Sequence, residues 1–340
     1  MKHNQVHAQH MTRIAYRSTN RQAIAQLMST SSKKGEKEMK RHFENKVVLV
    51  TGASRGIGRD VALAFAREGA RLILAARSAD QLAQVQEEVR ALGADALSVP
   101  TDVTSSAAVK SLVDTAMDRF GRIDVLVNNA GIGKVGDVAS PEFADNVRQT
   151  LQASLFGMID VTQRVLPILR QQRSGTIVNM SSVMGRKAFA RFGSYAIVMH
   201  GVSAFSDALR QELAGNNIRV SVIHPALTAT DFLIDVDAAE LPPPFRHMTP
   251  VSSEEVARSV VAAVRRGTRR VVLPRPANFL LLGEALSPRI GDLIASALTR
   301  RPIARLVGMS RGTTYHDTIV SRHGSRQRNL ALATTQTSVK

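Results

Sequence analysis

From Lys46 to Leu273 the apolar residues fall into two alternating patterns, short continuous runs and longer stretches with helical periodicity. The runs are rich in β-branched and aliphatic residues. They predict strands at Lys46–Thr51, Arg71–Ala76, Ala96–Pro100, Ile123–Val127, Gly175–Met180, Ile218–Ile223 and Arg270–Leu273. The periodic stretches between them predict helices at Ile57–Glu68, Asp80–Leu92, Ser105–Phe120, Pro141–Arg170, Ser194–Ala214 and Ser253–Arg266. Strands that are apolar on both faces must be covered on both faces, and a helix after each strand returns the chain by a right-handed crossover. The expected fold is therefore α/β, a Rossmann-type doubly wound parallel sheet of about seven strands with helices on both faces.

The first strand runs straight into Thr51-Gly52-Ala53-Ser54-Arg55-Gly56-Ile57-Gly58, and an alanine-rich helical pattern follows at once. Glycines suit that junction because the backbone must bend sharply and let a pyrophosphate approach without a Cβ in the way. The free N–H groups and the dipole of the helix then face the anion. Taken alone, such a triplet also fits an ordinary glycine turn.

Composition narrows the function. At 340 residues, 44% of them apolar, the chain can build a substantial core in one large domain or two small ones. The division expected is a basic tail at residues 1–44, a dinucleotide-binding domain at 45–275, and a helical extension with a second basic tail at 276–340. With no cysteine there is no disulfide, thiolate metal site or cysteine nucleophile, which is compatible with a cytoplasmic setting. No apolar run reaches the ~18 residues of a membrane span, and the N-terminus lacks the apolar core of a signal peptide. The net charge of +17 would suggest nucleic acid if it were spread over the fold. It is not: residues 1–46 and 299–340 each carry +7, leaving +3 for residues 47–298. No interleaved aromatics support a nucleic-acid motif. The N-terminal tail reads as disordered or weakly helical, and its loss is expected to leave stability nearly unchanged. An organellar targeting peptide, a tether to anionic lipid or nucleic acid, and a natural start at Met39 all remain open.

Four ordered motifs over about residues 45–275 resemble the short-chain dehydrogenase/reductase family. They are the glycine motif above, Asn128-Asn129-Ala130-Gly131 after the fourth strand, Ile177-Val178-Asn179-Met180-Ser181-Ser182, and Tyr195 thirteen residues beyond Ser182. Ile218–Thr230 resembles the family's sixth strand and following loop. The resemblance implies a nicotinamide cofactor held by Gly52, Ser54, Arg55, Gly56, Ile57 and Gly58, by Asn129, Ala130 and Gly131, and by Pro225 and Thr230. Asp102 and Val103 would face the adenine; Asp102 is otherwise a helix-capping aspartate. Where NAD is used, an acidic residue ends the second strand and binds the ribose 2′-hydroxyl. Here that strand ends Ala75-Ala76-Arg77. Arg77 and Arg55 stand where NADP-preferring members carry basic residues and can pair with a 2′-phosphate, so the cofactor expected is NADP. Two solvated surface arginines would give the same sequence.

The resemblance also implies a reaction: hydride moves between nicotinamide and a carbonyl or alcohol carbon while a serine holds the oxygen and a tyrosine transfers the proton. Ser182 and Tyr195 match those residues. The family's lysine, four residues after the tyrosine, is replaced by Met199, and its asparagine in the preceding helix by Ser154. An i, i+4 pair shares a helical face, so the group beside Tyr195 is an uncharged thioether. His200 lies about 100° further round and cannot simply take the role. Without the lysine, roughly one phenol in a thousand is ionised at neutral pH. Oxidation, which needs tyrosinate, should suffer more than reduction, which needs the phenol.

Leu227–Pro250 reads as a substrate loop, and Phe232, Leu233, Ile234 and Phe245 in it suggest an apolar substrate or internal packing. Phe279-Leu280-Leu281-Leu282 opens an apolar helical stretch to Leu298 beside basic residues. Packing, a second subunit in a homo-oligomer, or peripheral membrane contact each explain it. Two functions stand side by side: an NADP-dependent oxidoreductase with impaired activity, and an NADP-binding regulatory protein with little or no catalysis.

Overall fold

A computed structural model describes residues 41–310, save 234, 235, 237–240, 243, 244, 246 and 247. What was expected of residues 1–40, of the C-terminal tail beyond 310 and of Ile234 lies outside the described residues. The strands are β1 (Val47–Thr51), β2 (Arg71–Ala76), β3 (Ala96–Pro100), β4 (Val125–Asn128), β5 (Gly175–Met180), β6 (Ile218–Pro225) and β7 (Arg270–Leu273). They form one parallel sheet in the order β3-β2-β1-β4-β5-β6-β7. The winding reverses between β1 and β4, so a crevice opens at the carboxyl ends of those strands.

All five residues of β1 are buried, and their sides explain why its sequence does not alternate. Val48 and Val50 join one core with Val61, Phe65 and Val260, whereas Val47 and Leu49 join a second with Leu112, Val161 and Val165. The first core lies under α1 (Gly56–Arg67), α2 (Ala79–Ala91) and, after β6, a helix at Ser253–Arg266. The second lies under α3 (Ser106–Phe120), α5 (Gly157–Gln172) and α6 (Gly193–Glu212). Ser78 and Ser105 cap α2 and α3 by accepting from the N–H groups of Gln81 and Ala108. The Ser253–Arg266 helix, α7, has Ser252 as its cap and acids in its first turn. It carries arginines in its last turn and closes on Gly267 in the left-handed region.

Two departures from expectation exceed a shift of a residue or two at an element's end. The single helix expected over Pro141–Arg170 is α4 (Phe143–Leu151), a π turn (Gln152–Phe156) and α5. The widened turn lies where Gly157 abuts Val103, whose carbonyl oxygen would stand 2.8 Å from an added Cβ, and where Ser154 reaches Ile132. Packing also begins before residue 45. Phe43 is buried, meets Phe65 edge-on at 5.0 Å, and donates its N–H to Glu68. Phe43 thus packs on the domain from within the tail expected at residues 1–44, and its loss is expected to cost stability. After β7 the chain forms α8 (Ala277–Leu286), α9 (Pro288–Leu298) and α10 (Arg301–Leu306). Among the described residues no helix is long and apolar enough to cross a membrane.

Candidate active site

A cleft of about 870 Å³ opens at the carboxyl ends of the central strands. Every site residue expected from the sequence lines it except Gly58. A Cβ at Gly58 would stand 2.1 Å from the carbonyl oxygen of Gly52 and 2.5 Å from Asn129 Nδ2, so this glycine lets α1 press against the turn. Gly52 and Gly56 have φ of +65° and +55°, and an added Cβ at Gly52 would meet the Ala130 backbone at 2.9 Å.

The turn is stitched to the loop after β4. Thr51 Oγ1 accepts from the N–H groups of Asn129 and Ala130 at 3.0 and 3.1 Å, and Asn129 Nδ2 donates to the carbonyls of Thr51 and Gly52. Arg55, at the N-cap of α1, supplies no side-chain cap, and no acidic residue occupies the first turn. The helix's first N–H groups thus stay open at the cleft, an arrangement that fits a dinucleotide pyrophosphate. Arg55 and Arg77, both exposed, line the same end, as do Ser54 and Ile57. Asp102 accepts from the backbone N–H and hydroxyl of Thr104 at 2.9 and 2.8 Å, and these bonds, with the nearby Arg77, hold its carboxyl below the usual range. Thr230 lies across the turn, its Cγ2 at 3.2 Å from where a Gly56 Cβ would be.

The second end of the cleft is built by β5, β6 and α6. Ser182 sits where β5 gives way to a short 3₁₀ turn; its Oγ accepts from Met184 N–H and donates to the Pro225 carbonyl, both at 3.2 Å. Tyr195, in the first turn of α6, lines the cleft with Ser182 and is half-buried, with the Phe232 ring 5.7 Å away, centroid to centroid. Burial pushes its pKa up to about 12, against an opposing influence of the nearby Ser182 hydroxyl.

Met199 lies one turn along α6, 4% exposed, in an apolar cluster with Met158, Val198 and Val202, against which Tyr195 packs. Among the described residues lining the cleft, the cationic side chains are Arg55 and Arg77, both at the other end. Tyr195 therefore has no ammonium beside it. Ser154, carried by the π turn, accepts from Ile132 N–H at 3.0 Å and donates to Ile132 O at 3.2 Å. It anchors the β4–α4 loop.

Several contributors were not among the expected site residues. His224, 1% exposed in β6, has its Nδ1 2.9 Å from the Ser182 carbonyl oxygen, and burial pushes its pKa down to about 4. At neutral pH the ring is uncharged, so Nδ1 carries the proton and donates to that carbonyl. A histidine interrupting an apolar strand was the available clue. Asn128 donates to Thr162 and Asn179, and Asn179 to Ser206, tying β4 and β5 to α5 and α6 beneath the cleft. Met158, Met180 and Met184 also reach the cleft wall.

The model of the short chain dehydrogenase family matches residues 46–241. Ketoacyl reductase HetN of Nostoc sp. is 36% identical over 229 residues, 67% of this chain and 78% of that protein. Dehydrogenase/reductase SDR family member 7B of Bos taurus is 30% identical over 249 residues, covering 70% and 76% of the two chains. A solved short chain dehydrogenase/reductase from Burkholderia phymatum, in complex with NAD, is 25% identical. It superposes with a TM-score of 0.65 over 73% of this chain and 95% of that one.

Proposed function

This chain belongs to the short-chain dehydrogenase/reductase family of oxidoreductases, and from that premise we propose an NADP-dependent enzyme for apolar carbonyls or secondary alcohols, slowed by Met199. The observation that carries the reading is that Ser182 and Tyr195 together line one end of a cleft whose other end offers open helix N–H groups and two arginines. The bound nicotinamide would supply or accept the hydride. Gly52, Ser54, Gly56 and Ile57 would hold its pyrophosphate, Arg55 and Arg77 the 2′-phosphate, and Asp102 and Val103 the adenine. Asn129, Ala130, Gly131, Pro225 and Thr230 would frame the rest.

Ser182 and Tyr195 would hold the substrate oxygen, with Phe232 and Phe245 supplying an apolar wall. With a phenol pKa near 12, only about one Tyr195 in 10⁵ is ionised at neutral pH. The proton needed for reduction is always present, whereas the base needed for oxidation is scarce, so reduction is the favoured direction. In a homo-oligomer each copy would hold its own complete cleft.

A second reading, an NADP-binding regulatory protein without significant turnover, is favoured by the buried thioether at position 199. Fluorescence titration is expected to show NADPH bound more tightly than NADH, and Arg77→Asp to narrow or reverse the preference. Equal affinities in the unmodified protein would remove the NADP assignment. NADPH consumption over a panel of apolar ketones, compared with Tyr195→Phe, separates the readings: loss in the variant supports the enzyme. Tight NADPH binding with no turnover, even after Met199→Lys, supports the regulator.

A further inference from the structure

The helices after β7 carry a surface that the reaction does not use. On α8, Phe279, Leu282 and Leu286 are 71%, 59% and 70% exposed; on α9, Ile290 and Leu293 are 42% and 70% exposed. Their i, i+3, i+7 and i, i+3 spacings put each set on one helical face. The two helices touch closely: a Cβ at Gly283 would be 3.2 Å from Ile290 Cγ2, and one at Gly291 would be 3.0 Å from Glu284 Cα. Ile290 therefore sits at the seam and joins the two faces. So many large apolar side chains exposed together mark an interaction surface.

The charges around it are one-sided. Between Pro274 and Ser310 the only carboxylates are Glu284 and Asp292, and both bond Lys187, at 2.6 and 2.8 Å. Lys187 is 5% exposed and belongs to the segment between β5 and α6; its ammonium offsets one of the two negative charges, Glu284 is 23% exposed, and Asp292 stays 77% exposed. Arg275, Arg289, Arg300 and Arg305 are exposed and, among the described residues, pair with no carboxylate. Arg289 lies one turn from Leu293 on α9. On its inner side the hairpin packs Ala277, Leu280 and Leu298 into the same apolar cluster as Met184 and Phe245, two residues of the cleft wall.

We propose that the α8–α9 hairpin docks on an anionic lipid bilayer, with its leucines and Phe279 entering the headgroup boundary and its arginines meeting lipid phosphates and carboxylates. Charge decides against a second copy: a two-fold contact would oppose the patch to itself and bring unpaired arginines together. An anionic membrane satisfies both features, since apolar burial and roughly 1 kcal/mol per basic residue add. The surface is independent of the proposed reaction, but it would present the cleft to substrates dissolved in lipid.

The full chain should float with phosphatidylcholine vesicles that contain phosphatidylserine and much less with phosphatidylcholine alone, and high salt should release it. Leu282→Gln with Leu293→Gln, and separately Arg289→Gln with Arg305→Gln, should each weaken partitioning about tenfold or more while melting temperature and NADPH titration stay unchanged. Because all four side chains are exposed, neither pair touches the core. Failure of the unmodified chain to float would overturn the proposal. So would unchanged flotation of the leucine pair, which would assign any binding to the basic tails. A dimer that the leucine pair dissociates, with no vesicle binding, would assign the face to a second copy and overturn it equally.

Discussion

At residue scale the chemistry turns on the group beside Tyr195. Met199→Lys would place an ammonium one turn along α6 from the phenol, and opposite charge stabilises tyrosinate. Oxidation of a secondary alcohol should rise at neutral pH by at least tenfold, reduction by less, and melting temperature should fall because a charge enters the Met158–Val198–Val202 cluster. In the unmodified protein oxidation should climb with pH throughout the range 7–10, because the phenol titrates near 12, while reduction stays flat. The variant's rise should begin at lower pH. Coincident profiles would show that position 199 does not control Tyr195.

His224 bears on stability. Its folded pKa of about 4 lies below the usual 6.5, so the unfolded chain binds the proton first. Stability is full above pH 6.5 and falls as pH drops toward 4, by roughly 3 kcal/mol. Asp124 acts in a separate window: although burial opposes it, hydrogen bonds from Arg122, Val47 and Lys46 hold its carboxyl below the usual range, so its contribution disappears only at still lower pH. Urea midpoints at pH 7 and 4.5 for the unmodified protein and His224→Asn should differ in slope, the variant losing less stability on acidification.

At the scale of elements, the β1–α1 junction is the least forgiving. Gly58→Ala places a methyl 2.1 Å from a backbone oxygen that cannot move without opening the turn, so a cost of about 3 kcal/mol or more is expected, with weaker NADPH binding. By contrast a Cβ at Gly93 meets nothing within 4 Å. Gly93→Ala should cost only the strain of its φ of +78°, of order 1 kcal/mol, and leave cofactor binding unchanged. Thermal melts and NADPH titrations of the two variants check the contrast. The sequence places Gly58 in the glycine motif and does not distinguish the packing of the two. Which of them is packed against backbone depends on how closely α1 approaches the turn and Asn129, a contact formed across 71 residues.

For the whole molecule, the N-terminal edge of the packed domain can be tested by paired truncations. Deletion through Glu44 removes Phe43 from its contact with Phe65, whereas deletion through Lys40 keeps it. The longer deletion should melt several degrees below the shorter one, consistent with a buried phenyl ring worth about 2–3 kcal/mol. Equal melting temperatures would show that Phe43 contributes nothing to the fold.

The sequence by itself determined the order and type of nearly every element, because burial on one helical face or on both faces of a strand is written into local periodicity. It also supplied the glycine turn, the Ser182 and Tyr195 motif positions and the departure at Met199, since each is a residue identity within a short motif. Tertiary structure decided what those residues meet. Only the sheet register brings His224 behind Ser182, the π turn brings Ser154 to Ile132, and the fold of the C-terminal helices draws Glu284 and Asp292 onto Lys187. These contacts join segments 22 to 105 residues apart. Periodicity records which side of an element is buried and is silent on which distant side chain lies there, because that depends on crossover geometry and packing shared among elements.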